Sequence, residues 1–186
     1  MAGGSITRRH ALVATAALAP MLAAAKGTPV APSLDAYKRE QLIGISGAVA
    51  AEQTAMVAFE AIANGGLLDP RATATMRILL DHATFHASVL GESLKSELGE
   101  DPPLPPKRTQ IQGLESARTR EAALRLALRL EQRAVGAHLA AVRRTNNAQV
   151  LKTIAGIVGS DGQSLVLLRQ LLNESPVPAA FERGAS

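Results

Sequence analysis

Four ionisable side chains interrupt runs of residues that are otherwise apolar. Glu52 falls within Ile45, Val49, Glu52, Met56, Phe59, and Glu131 within Leu124, Leu128, Glu131, Val135, His138, Val142. His86 falls within Met76, Leu79, Ala83, His86, Leu90, with Asp81 and His82 beside it. Asp161 falls within Ile154, Ile157, Asp161, Ser164, Leu168, Leu171. Every run steps by three or four residues, the spacing of one face of an α-helix. A lone carboxylate buried on such a face is costly unless it is paired or binds a cation. Three acids and a histidine brought together would repel, so a metal ion, shared protons or a buried water network must stand between them. The chain has no Cys, which removes thiolate ligands, a Cys nucleophile and disulfides, and leaves oxygen and imidazole donors. Those donors suit iron or manganese.

An internal repeat links two of these positions. Glu52-Gln53-x-Ala55-x-x-Ala58-Phe59-x-Ala61 aligns with Glu131-Gln132-x-Ala134-x-x-Ala137-His138-x-Ala140 at a constant offset of 79 residues. The alanine matches are cheap in a chain with 35 Ala; the Glu-Gln pair in register is not. Each residue also has a plainer reading. Glu52 and Glu131 could be partly exposed helix acids, and His86 a satisfied core histidine. Asp161 could pair with Arg169. His138 takes the place that Phe59 holds in the repeat, which favours packing or a hydrogen bond to a ligand. His82 could replace a ligand one turn from His86, or face solvent.

The elements that must carry these side chains are helices. Ala and Leu dominate, and only four residues are aromatic: Tyr37, Phe59, Phe85 and Phe181. That argues for an all-α domain and against a sandwich or barrel. Ser33 can cap a first helix over 34–63, ended by Asn64-Gly65-Gly66. Asp69-Pro70 opens a second that Gly99 stops at 98. Four prolines exclude helix from 99–113. A third helix is expected over 114–144 and a fourth over 148–173, with residues 174–186 as a tail. The second helix would be about 43 Å long at about 1.5 Å per residue. An extended proline-rich connection of that size reaches about 46 Å at about 3.1 Å per residue. It can return along the whole bundle, which makes two antiparallel hairpins joined by a long crossover the expected topology. Gly156, Gly159 and Gly162 recur on the fourth helix, and small residues there suggest close helix packing or an irregular turn beside Asp161.

The constellation resembles the ferritin-like di-iron carboxylate proteins, a four-helix bundle with one such crossover. The resemblance spans residues 34–173. It implies single-Glu ligand slots on the first and third helices, matched by Glu52 and Glu131, and Glu-x-x-His pairs on the other two. His86 matches a histidine slot, but Ala83 stands where its Glu partner would be. Asp161 matches an acid slot, but Ser164 stands in the histidine slot. The resemblance thus implies a degenerate site of Glu52, His86, Glu131 and Asp161, with His82 as a substitute. Such a set would hold one iron or manganese ion more readily than two, so di-iron oxidase or ferroxidase chemistry is not expected.

Residues 1–25 read as an export signal. Arg8-Arg9 precede an apolar stretch too short to span a bilayer, and Ala23-Ala24-Ala25 forms a small-residue cleavage site. The paired arginines give it a twin-arginine character, and residues 26–33 follow as a linker. The expected location is the periplasm, the cell envelope or outside the cell, with a membrane tether only if the signal is kept. Removing the signal takes two of the 20 Lys and Arg residues and none of the 16 acids, leaving a net charge of +2. No basic cluster points to nucleic acid, and no Gly-rich loop between strand and helix points to a nucleotide. His82-Ala83-Thr84-Phe85-His86 has the two-histidine spacing of zinc proteases but lacks their Glu. Helix faces could pair two copies of the chain. Two function classes follow: an exported ferritin-like protein binding a single metal ion, or the same bundle without metal, serving as a structural or interaction module of the envelope.

Overall fold

The computed structural model describes residues 33–178 of the 186. The expected signal at 1–25, nearly all of the linker at 26–33, and the end of the tail lie outside the described residues. Four α-helices follow in order: α1 Leu34–Asn64, α2 Pro70–Leu98, α3 Arg120–Val142 and α4 Ala148–Leu171. Each starts on a side-chain cap. Ser33, Asp69 and Thr119 each accept from the backbone N–H three residues on, and Asn147 accepts from Gln149 and Val150. These bonds satisfy amides that the first turn leaves without partners. Gly99 ends α2 in the left-handed region, at φ 72°, where a side chain would be strained.

The third helix begins six residues later than expected. Gly113 has φ 88°, residues 112–116 form turns, and 117–119 are not helical. Thr119 then supplies the cap, and Arg120 binds Asp69 at 3.1 Å. That ion pair ties the start of α3 to the start of α2. At the opposite end Arg144 binds Glu40 at 3.2 Å, and Asn147 donates to Glu97 at 2.6 Å. α1 therefore runs antiparallel to α2 and to α3, and α4 antiparallel to α2 and α3. α1 packs on α2 and α3, α4 packs on the same two, and the backbones of the diagonal pairs stay apart.

This arrangement requires the connection after α2 to travel the length of the bundle. It does so against α1 and α2. Pro102 lies beside Gly91, Gln53 donates to the Pro103 carbonyl at 2.6 Å, and a short 3-10 turn, Arg108–Gln110, packs on α1 before Ile111 enters the core. The protein is an all-α four-helix bundle of two hairpins with one long crossover. α1 is long and apolar enough to cross a membrane by length and composition, but half of that window is buried in the bundle, as in any core helix.

The core is divided into two apolar layers. One gathers Ile45, Val49, Leu90, Leu94, Val150 and Ile154; the other is built around Phe59, Met76, Leu79, Leu124 and Leu168. On every helix the residues between these layers include a buried ionisable side chain.

The glycines of α4 do not mediate close packing. A Cβ at Gly156, Gly159 or Gly162 would meet nothing within 4 Å, and α4 is one unbroken helix through them. The glycine in close approach is Gly44 on α1, where a Cβ would sit 3.0 Å from the Ala141 Cα.

Candidate metal centre

The polar layer takes one side chain from each helix. Glu52 comes from α1, His86 from α2, His138 from α3 and Asp161 from α4, and each is 5% exposed or less. His86 Nδ1 lies 3.1 Å from Glu52 Oε1 and 3.3 Å from Asp161 Oδ1. His138 Nδ1 lies 2.9 Å from Asp161 Oδ2, and its Nε2 lies 3.3 Å from Glu52 Oε1. Two carboxylates from diagonal helices are thus joined by two imidazoles from the other diagonal. One ligand atom each from Glu52, His86 and Asp161 falls within 4.8 Å of the others.

His138 Nε2 is buried and makes no hydrogen bond. With Nδ1 donating to Asp161, Nε2 of a neutral imidazole presents a lone pair to a carboxylate oxygen. That contact is repulsive unless a proton or a cation occupies the space between. With metal–donor bonds near 2.1 Å, neighbouring donors lie about 3.0 Å apart at right angles and about 3.4 Å apart at the tetrahedral angle. The two separations from His86 Nδ1, 3.1 Å to Glu52 and 3.3 Å to Asp161, fall in that range. Glu52, His86 and Asp161 therefore form a candidate site for a metal ion.

The electrostatics divide the acids into two kinds. Burial is the largest influence on Glu52 and raises its carboxyl pKa, against the His86 hydrogen bond. Burial raises Glu131 well above the carboxylate range, and the charges of Asp161 and Glu52 push the same way. Asp161 goes down: burial opposes ionisation, but hydrogen bonds from His138 and His86 together prevail. His86 rises to about 9, because bonds to Asp161 and Glu52 outweigh a desolvation that would lower it. Without metal, the layer is held by an anionic Asp161 against a cationic His86.

Of the residues singled out in the sequence, Glu52, His86 and Asp161 converge. Glu131 is buried, but it lies two turns from His138 along α3, about 10 Å. Its carboxyl has the Ser164 hydroxyl as a hydrogen-bonding neighbour and feels the charges of Asp161, Glu52 and His86, but it is not among the donors that converge. α3 docks antiparallel to α1 with its His138 turn at the level of Glu52, so it is His138 that contacts the Glu52 carboxylate from α3. His82 is half-buried, stacks on His86 with ring centroids 6.1 Å apart, and turns Nδ1 toward Ser160 at 3.4 Å. It is not part of the converging group. Asp161 has the two histidines as its hydrogen-bonding neighbours. The position that sequence reasoning underweighted is His138. The signal for it was present: it lies seven residues from Glu131 on the same stripe, and it stands where the repeat has Phe59.

The sequence matches the family model of the ferritin-like domain over residues 31–174, and the chain belongs to that family. No curated protein and no solved structure matches it.

Proposed function

We propose that this chain is an exported ferritin-like protein that holds one iron or manganese ion among Glu52, His86 and Asp161. The observation that carries the reading is the convergence of those buried donors, with the hydrogen-bond-free His138 Nε2 3.3 Å from the Glu52 carboxylate. A bound iron or manganese ion would supply a one-electron redox centre. The chain's own residues supply the rest. His138 orients Asp161 through Nδ1, and the two apolar layers exclude water from either side. Ala83 and Ser164 leave the donor set short of what two metals need, so the reading is a single-ion site rather than a di-iron oxidase.

The test is elemental analysis of protein purified without chelator, with titration of Fe(II) and Mn(II) into the stripped form. One ion per chain is expected, lost in Glu52→Ala and retained in Glu131→Gln. Stripped protein that neither binds nor is stabilised by either metal would overturn the reading. For export, residues 1–25 fused to a folded reporter should direct it across the membrane, and Arg8→Lys with Arg9→Lys should stop it. Unchanged export of that double variant would refute the twin-arginine character.

A second reading rests on the contacts of His86 and His138 with Asp161, which lie at hydrogen-bonding distance and can satisfy the buried carboxylate. Under it the bundle is a metal-free module of the envelope. Glu52→Gln would then be neutral or stabilising.

A further inference from the structure

A groove of about 570 Å³ opens between α2 and α4 on the outer side of the polar layer. Its size is that of a small-molecule site. His86 reaches its wall, so one residue of the buried layer is shared with the groove. On the α2 side three rings follow one another: His82, Phe85 and His86. His82 stacks on His86, and Phe85 meets His86 edge-on with centroids 6.4 Å apart. Phe85 is 65% exposed. Val89 and Ile157 continue the apolar lining.

On the α4 side the wall is cut back at Gly156. A Cβ there would meet nothing within 4 Å, so glycine is not required by packing, and it weakens the helix that carries it. A side chain at that position would enter the groove. Among the described residues that line the groove, Lys152 is the fixed cation and none is an acid.

We infer that this groove binds a small aromatic anion, an aryl carboxylate or sulfonate, with its ring against Phe85 and the His82–His86 pair and its charge toward Lys152. Ring faces favour an aromatic body, and the unbalanced lysine favours an anionic group. The inference goes beyond the metal reading and does not depend on it.

The experiment is calorimetric titration of 2-naphthoate into the full chain with chelator present, so that its outcome is separate from metal binding. One molecule per chain is expected. Gly156→Leu should lower the affinity at least tenfold while its melting temperature stays at or above that of the parent, since leucine is the better helix former and its Cβ finds open space. Lys152→Gln should weaken 2-naphthoate several-fold and leave the neutral analogue 2-naphthylmethanol unchanged. Absence of saturable binding, or equal binding by a folded Gly156→Leu variant, would overturn the inference. So would a parent dimer that Gly156→Leu converts to a monomer, since a second copy of the chain would then fill the groove.

Discussion

Raising the pH of the metal-free protein should loosen the bundle, and His86 sets the size of the effect. The residue is 5% exposed, and its pKa stands at about 9 against an ordinary 6.5. Burial alone would depress it; the bonds to Asp161 and Glu52 reverse that. The folded protein therefore keeps a proton that the unfolded chain releases. The resulting stabilisation is complete below 6.5 and is lost as pH rises through about 9. The gap between those values, at about 1.4 kcal/mol per pH unit, sets a ceiling of about 3 kcal/mol. In a domain of this size each kcal/mol moves Tm by about 2–4 °C. Tm should thus fall between about pH 6 and about pH 9.5, by at most about 6–12 °C. Glu52 and Glu131 act in the same direction. Their folded pKa values are raised, so the stability they give below 4.5 is lost as pH rises through those values. Asp161 works at the acid end: its contribution is present above 3.8 and lost as pH falls through its lowered value. The assay is thermal unfolding followed by far-ultraviolet circular dichroism, with chelator, for the parent and His86→Gln. Glutamine keeps an amide donor and has no proton to titrate. The variant should show the shallower alkaline slope. Equal slopes would refute the reasoning. Added Mn(II) should reverse the trend, because ligation requires an unprotonated imidazole.

Three further outcomes are expected. Asp161→Asn removes the anion that both histidines contact and leaves buried groups uncompensated; it should cost about 3–5 kcal/mol in denaturant unfolding and abolish metal binding. Glu131→Gln should stay within about 1 kcal/mol of the parent by the same measurement, since burial already favours the neutral acid and an amide can keep the Ser164 bond. The glycines should divide by their surroundings. Gly159→Ala has open space and should stabilise by about 0.8–1 kcal/mol, whereas Gly44→Ala forces a Cβ to 3.0 Å from the Ala141 backbone and should cost about 1–3 kcal/mol.

Much of the bundle was legible in the residues. Ser33, Asp69-Pro70 and Gly99 marked helix ends where the structure has them, because capping is a local matter of one side chain and a few amides. The proline-rich segment after Gly99 was too long for a hairpin turn and long enough to return along α2, and chain reach alone supported a crossover. The start of α3 was less legible. Several turns could have begun it, and the choice of Thr119 is joined to the ion pair that its neighbour Arg120 makes with Asp69, 51 residues before Arg120.

The sequence by itself determined which face of each helix is buried, and that Glu52, His86, Glu131 and Asp161 interrupt those faces. Spacing of three and four residues sets an angle around a helix axis, and that angle is a local property. Spacing does not set height. Glu131 and His138 share one stripe two turns apart, and only the antiparallel docking of α1 on α3 decides which of them meets Glu52. The same holds for the glycines of α4 and for Phe85. Their side of the helix could be read, but whether a neighbour covers it depends on contacts among residues far apart in the chain. The tertiary structure therefore decided that the polar layer is two carboxylates joined by two histidines, and that it adjoins an open groove on one side.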